Sequence, residues 1–208
     1  DGNFSKYIQV GINGIKGNPV VISPFELAGH GGLNYENAHI KLAESGIYMP
    51  TPKIFMAHFN NVVEAKKGDR KLLYADGIEV SDDVVKDMYL HYTKNHKVIY
   101  KGGNAGAWTW LNARFVKGTG FKKMDLETVI GVSEKKLETT RDKLEDCVWE
   151  DTLVNLDFNS QGLAKNKSSD DDYAQGKNLY FWKPVKNAVA WFDANSDGAC
   201  LSCNRNPS

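Results

Sequence analysis

The chain reads as an α+β protein, with helices in its first half and short strands in its second. Three observations carry this. Before residue 95, apolar residues recur at helical spacing in segments opened by cap residues. After residue 107 the apolar runs are short, and the last of them alternates with period two. The two kinds of element are segregated along the chain, which points away from a doubly wound parallel sheet.

The elements follow in order. Tyr7 to Ile12 and Pro19 to Ile22 read as strands, with Gly11, Gly14 and Gly17 punctuating the turn between them. Ser23-Pro24-Phe25-Glu26 has the form of a capping box, with Ser at the cap and Pro at the first helical position. Gly29-His30-Gly31-Gly32 interrupts it, and a helix is expected from Asn34 to Glu44, stopping at Gly46. Thr51-Pro52 opens another. Phe55, Met56, Phe59, Val62 and Val63 form its stripe, and Gly68 ends it. Residues 71–80 read as a short hairpin. Ser81 caps a helix from Asp82 to about Tyr92. Residues 97–100 and 108–117 are strand candidates. The charged stretch 133–146 reads as an exposed helix or loop, 164–177 as a polar surface loop, and Leu179 to Trp182 as a buried strand. Trp108 and Trp110 share a parity; they can stack a sugar, but the expected role is core. No internal repeat is present.

Residues 190–208, AWFDANSDGACLSCNRNPS, are the most informative segment. Phe192, Ala194 and Ser196 share one parity, and Asp193, Asn195 and Asp197 the other. Asp197-Gly198 is a short turn signal, after which Ala199, Leu201 and Cys203 take the apolar side. A two-faced hairpin follows, with polar residues pointing outward. Asp193, Asn195, Asp197, Gly198, Cys200, Ser202, Asn204, Arg205 and Asn206 share a coding property. Each is reachable from an Asn codon ending in a pyrimidine by changing adenines alone, a property that most amino-acid types share. Trp191 is reachable from the Arg codon AGG in the same way.

The frame Ala-Val-Ala-x-Phe-x-Ala-x-Ser-x-x-Ala-x-Leu-x-Cys-x-x-x-Pro-Ser, residues 188–208, resembles the variable region of proteins diversified by retroelements, which mutate template adenines. Trp108 to Phe115, Lys117 to Phe121, Asn159 to Leu163 and Tyr180 to Trp182 are similar to archaeal and archaeal-virus members of that group. The resemblance covers residues 108–208 best. It implies a C-type-lectin-like fold of the formylglycine-generating-enzyme-like subclass, as one domain over 1–208. Residues 1–107 would be a helical framework, 108–187 framework strands and an insertion, and 188–208 the variable region. The ten positions from Trp191 to Asn206 named above would contact ligand. Phe192, Ala194, Ser196, Ala199, Leu201 and Cys203 would be scaffold. Such regions usually continue into a final Leu-Gly-Val strand, whereas this chain stops at Ser208.

Composition narrows the function classes. With 26 basic and 26 acidic residues the formal charge is +0, which disfavours nucleic acid as a partner. At 41% apolar residues there is enough for a core, yet no apolar run is long enough to span a membrane. Three cysteines do not make a disulfide framework. Cys200-x-x-Cys203 lacks the second ligand pair of a zinc site. No long exposed heptad demands assembly, so a monomer is expected.

Other motifs are weaker. Asp193-x-Asn195-x-Asp197-Gly198 matches the first half of a calcium loop, but the twelfth position is Asn204 rather than Glu. A structural calcium ion is compatible with it, and no other cofactor is implied. The Gly29–Gly32 cluster lacks a Gly-x-Ser-x-Gly elbow. The histidines, His30, His39, His58, His91 and His96, have no zincin spacing. Asp170 to Asp172 reads as a solvated run. Asn3 and Asn166 sit in glycosylation patterns. No nucleophile–base pair stands out, so the expectation is a binding protein and not an enzyme. The resemblance points to recognition of a protein or surface molecule, at a virion or cell surface. The alternatives are a metal-dependent enzyme or formylglycine-generating-enzyme relative, and a calcium-stabilised structural module.

Overall fold

Capping residues open two of the three helices. In the computed structural model, which describes residues 4–13, 19–25, 32–93, 106–195 and 197–208, helix α1 spans Tyr35–Glu44. The Asn34 side chain accepts a 2.9 Å bond from the Asn37 N–H, satisfying one of the first-turn donors. Helix α2, Pro52–Lys67, begins with Thr51 as cap and proline at the first turn, and ends at Gly68 with φ 86°. That left-handed conformation suits glycine. Helix α3 spans Asp82–Thr93, with Asp82 and Asp83 at its positive end.

Strands β1 (Ile8–Asn13) and β2 (Pro19–Ile22) form a small antiparallel sheet. The turn within 71–80 closes through a Leu73–Glu79 bridge, and Tyr74 bridges back to Ile8. The large sheet uses β3 (Trp108–Lys117), β4 (Met124–Ser133), β5 (Lys136–Lys143), β6 (Thr152–Asn155), β7 (Asn178–Trp182), β8 (Val189–Asn195) and β9 (Gly198–Arg205). Its order is β5-β4-β3-β8-β9-β7-β6. Neighbours pair antiparallel except β7 and β9, which run parallel. The protein is therefore α+β, with three helices and a seven-stranded sheet among the described residues.

The central strands are covered on both faces. Helices α2 and α3 pack on one face, where Phe192 meets Phe55 at 4.7 Å, Phe59 at 5.5 Å and Tyr92 at 6.3 Å between ring centroids. Leu201, Cys203, Phe181, Leu111 and Phe115 complete that core. Helix α1 lies on the opposite face, where Tyr35 packs edge-on to Trp110 and clusters with Ala38, Met49 and Val189. It covers that face towards β3, β4 and β5. The rest of the face is the surface described below.

Several expectations change. Residues 133–146 are neither helix nor irregular loop; they include most of a β4–β5 hairpin arm. Ser133 pairs with Lys136 across a two-residue turn, in which Glu134 and Lys135 have φ of 49° and 60°. Two successive positive φ values make a hairpin turn that Asn-Gly would have signalled and Glu-Lys does not. The charges lie on an exposed edge strand, where they hinder edge-to-edge pairing. Arg141 is bonded to Glu127 across the strands at 2.7 Å. Trp108, expected in the core, is 42% exposed. The β8–β9 turn is shifted by one residue from the expected Asp197-Gly198 pair, because Asn195 pairs with Gly198. The expected strand at 97–100, the glycine cluster at 29–31, Glu26, His30, His96, Asn3 and Ser196 lie outside the described residues.

Candidate functional site

The β8–β9 hairpin gives each residue of the variable-like segment a face. Cα partners Phe192–Leu201 and Ala194–Ala199 point towards α2 and α3, and all four are buried. Cys203 is buried on the same side. The partners Trp191–Ser202, Asp193–Cys200 and Asn195–Gly198 belong to the other face. Register carries that face onto the neighbouring strands. Trp108 and Trp110 on β3 stand opposite Asp193 and Trp191, and Tyr180 and Trp182 on β7 stand beside Cys200 and Ser202. The result is two rows across four strands. One is Trp108, Asp193, Cys200, Tyr180; the other is Trp110, Trp191, Ser202, Trp182.

The middle of this face is covered by its own aromatics. Trp191 is 1% exposed. It lies edge-on between Trp108 at 4.2 Å and Trp110 at 4.6 Å, and the Arg205 guanidinium sits 4.9 Å from its ring centroid. Its indole N–H donates to Asp193 Oδ2 at 3.1 Å. The Trp110 N–H donates to the Leu33 carbonyl, which ties that ring to the segment before α1. Trp182 is 45% exposed and stands on β7 next to the Cys200–Ser202 stretch of β9. Tyr173 stacks on Tyr180 at 6.0 Å, and its hydroxyl donates to the Thr93 carbonyl at the end of α3. The same Tyr173 ring covers Gly198, whose φ is 129°; a Cβ there would lie 2.6 Å from the ring.

The ten outward positions therefore separate into groups. Asn195 and Asp197 are exposed at the hairpin tip, where Asn195 Oδ1 accepts from the Asp197 N–H at 2.8 Å. Asn204, Arg205 and Asn206 are exposed at the other end, roughly 20 Å away at a strand's rise per residue. Trp191, Gly198, Cys200 and Ser202 lie between them and are buried, while Asp193 is half-buried. Trp108, Tyr173, Tyr180 and Trp182 were not among the expected ligand contacts. The shared parity of Trp108 with Trp110, and of Tyr180 with Trp182, is the signal that could have placed them on one face. Their adjacency to β8 and β9 needs the strand order.

The electrostatics centre on Asp193. Burial raises its pKa, and the Trp191 hydrogen bond and the Arg205 charge work against that rise. Its second oxygen, Oδ1, is buried without a hydrogen-bond partner. A buried acceptor without a protein donor opposes the ionised carboxylate in the same direction as burial does. All three thiols are pushed up. Burial and then Asp146 raise Cys147 to about 12, burial and then Asp193 raise Cys200, and burial raises Cys203 well above its ordinary value. None is poised as a thiolate.

The calcium-like residues do not wrap a loop. Asp193 and Asn195 lie on β8, and Gly198 opens β9. Among the described residues, no group of three or more His, Cys, Asp or Glu side chains is placed to hold a metal ion. No described helix is long and apolar enough to cross a membrane. A separate cleft of about 300 Å³ lies between α2 and the 156–162 loop, lined by Lys53, Asn60, Asp157 and Ser160 among others. It involves none of the outward residues. No family model, no curated protein and no solved structure matches this chain.

Proposed function

We propose that this is a ligand-binding protein of C-type-lectin-like fold, whose C-terminal hairpin is diversified by a retroelement to follow changing targets. The carrying observation is the division of labour across β8 and β9. One face is core: Phe192, Ala194, Ala199, Leu201 and Cys203 are 0–5% exposed. The other carries Asp193, Asn195 and Asn204, with the Arg205 guanidinium over the Trp191 ring, while Asp197 and Asn206 are exposed at the two ends of the hairpin. Core substitutions cost several kcal/mol, whereas exposed ones usually stay within about 0.5 kcal/mol. A mutating process confined to the second face samples recognition without unfolding the scaffold.

Burial narrows the set that can contact ligand. Asn195, Asp197, Asn204, Arg205 and Asn206 are the contact positions, with Asp193 as a half-buried sixth. Trp191 and Cys200 serve as support in this variant, and Gly198 is held to glycine by Tyr173 and its φ. A protein or surface molecule at a virion or cell surface is the expected class of target. The protonated thiols weigh against a catalyst that depends on a cysteine thiolate.

The test is to sequence many independent copies of this gene from its source population. Changes concentrated at codons 193, 195, 197, 204, 205 and 206, all at adenines, are expected, with 192, 194, 199, 201 and 203 constant. An invariant segment, or changes spread equally over both faces, would sink the reading.

A further inference from the structure

We infer that the cleft between α2 and the 156–162 loop is a second binding site, and that it takes a small apolar monocarboxylate whose charged head pairs with Lys53. The cleft lies away from the outward face of β8 and β9, and the inference does not rest on the function proposed for that face.

The cleft has the size and lining of a small-molecule site. Its volume of about 300 Å³ is at the lower end of the range for such sites. One wall is a stripe of α2 made by Lys53, Met56, Ala57 and Asn60, a spacing that puts all four on one helix face. From Lys53 to Asn60 the helix rises roughly 10 Å, which sets the length of the cleft. Leu156 and Phe158 stand on the other wall, and Ile12 of β1 also lines the space. The middle is therefore apolar, with Lys53 and Asn60 marking its ends.

The loop wall is held in place by the protein itself. Asn159 Oδ1 accepts from the Gln161 and Leu163 N–H groups at 3.0 and 2.9 Å, and the Asn159 amide donates to the Asp146 carbonyl. Glu145 accepts from both the N–H and the hydroxyl of Ser160. Gly162, at φ 83°, lies against the first turn of α2, where a Cβ would come within 2.3 Å of the Lys53 nitrogen. At the other end the Asn60 amide donates to the Leu156 carbonyl at 3.1 Å and ties the two walls together. A cleft fixed in this way loses little freedom when it is filled.

The charges select the ligand. Asp157 accepts from Lys165 at 3.3 Å and from Asn166 at 2.8 Å, and Glu145 is held by Ser160, so both carboxylates already have donors. Lys53 is exposed and forms no ion pair among the described residues. An apolar cation would meet the Lys53 ammonium and find the carboxylates occupied. A monocarboxylate lays its apolar body along Met56, Leu156 and Phe158 and keeps its head at Lys53, where a charge-assisted hydrogen bond forms. The flexible lysine stem lets the ammonium follow the head. An acyl chain and an arylalkanoic acid share this chemistry, and the length of the cleft suits both.

The test titrates the full chain with octanoate and with phenylpropionate, read by calorimetry and by NMR of the Met56 and Ala57 methyl groups. Octanamide, phenylpropionamide and octylammonium are the neutral and cationic counterparts. Saturable binding of at least one acid is expected, with movement of both methyl resonances, and the acid that binds more tightly tells an acyl chain from an aromatic body. The matching amide should bind about fivefold more weakly or worse, because it lacks the charge-assisted bond. Lys53→Met keeps the stem and removes the charge, and should weaken the acid to the level of its amide. Ala57→Leu fills the cleft from a helix position that suits leucine, and should abolish binding. Lys86→Ala on α3 should leave it unchanged. Thermal melts confirm that each variant is folded, and Lys53→Met, at an exposed position, serves if Ala57→Leu is not.

No saturable binding of either acid up to about 10 mM, beyond the weak end of specific affinity, would overturn the proposal. So would equal binding of acid, amide and ammonium, because the Lys53 charge would then select nothing. Binding that survives Ala57→Leu, or that leaves the Met56 and Ala57 methyl groups unmoved, would place the ligand elsewhere and overturn it too.

Discussion

Replacing Phe192 by Ala should cost far more than replacing Asn204, Arg205 and Asn206 together. Phe192 is fully buried and packs on Phe55, Phe59 and Tyr92. Removing a ring from such a site loses its transfer energy and leaves a cavity, about 3–5 kcal/mol in total. For a chain of this length each kcal/mol moves the melting temperature by about 2–4 °C, so Phe192→Ala should lower it by about 10 °C. The triple variant removes exposed groups. The Asn204 and Asn206 bonds, to Ser202 and Ser208, are local and near the surface. Loss of Arg205 from the Trp191 ring costs about 0.5–1 kcal/mol. The total should stay below about 2 kcal/mol, or a few degrees.

Urea denaturation and thermal melts of the two variants and the parent settle the comparison. A triple variant as destabilised as Phe192→Ala would refute the argument that recognition and stability are carried on opposite faces. So would a Phe192→Ala cost under about 1 kcal/mol, because the ring would then not be a core element.

Other consequences are as direct. Burial lowers His58 to about 3, and burial and then Arg114 lower His39 to about 4, both from 6.5. The unfolded chain therefore binds protons first: stability is full above about pH 6.5, and at pH 5 each histidine should cost about 2 kcal/mol in urea denaturation. A stability unchanged between pH 7 and pH 5 would refute it. Gly198→Ala meets both an unfavourable φ and the Tyr173 ring, so its melting temperature should fall by several degrees. Tyr173→Ala in the same chain should recover only part of the loss, and full recovery would show that the clash alone matters. Glu127→Gln removes the charge paired with Arg141 at 2.7 Å on a face where Glu127 is 9% exposed. A loss of about 1 kcal/mol by urea denaturation is expected, and a gain would show that desolvation of the carboxylate outweighs the pair.

Much of the fold was legible because local signals and tertiary packing agree. Thr51-Pro52 and Gly68 bound α2 as their chemistry requires, and the stripe from Phe55 to Val63 is its buried face. The alternation in 190–203 assigned sides correctly because a one-residue slip would send Phe192 and Leu201 to the opposite face. The β4–β5 hairpin was not legible. Its charges face water on an edge strand, so no apolar period marks them, and a Glu-Lys turn with positive φ carries no glycine. Strand order was not legible either. That β7 lies beside β9, and so brings Trp182 and Tyr180 to the candidate face, depends on a parallel pairing between segments twenty residues apart. Local sequence cannot specify it.

That pairing changes what the variable-like segment can do. A hairpin alone would present Asp193, Cys200 and Ser202 as an open row. Set between β3 and β7, these residues are flanked and largely covered by Trp108, Trp110, Trp191, Tyr180 and Trp182, and the wholly exposed positions are left at the two ends of the hairpin. Substitutions at the tip and at residues 204–206 then alter the rim of a face whose flanking aromatic walls, Trp108, Trp110, Tyr180 and Trp182, come from framework strands outside the segment. Under the proposed function, the framework aromatics give contact area common to all variants and the exposed ends give discrimination between ligands. On this arrangement, removing a wall should weaken every ligand that the surface holds, and changing the rim should alter which ligand is held. Rim substitutions that left the ligand unchanged while wall substitutions switched it would invert the assignment.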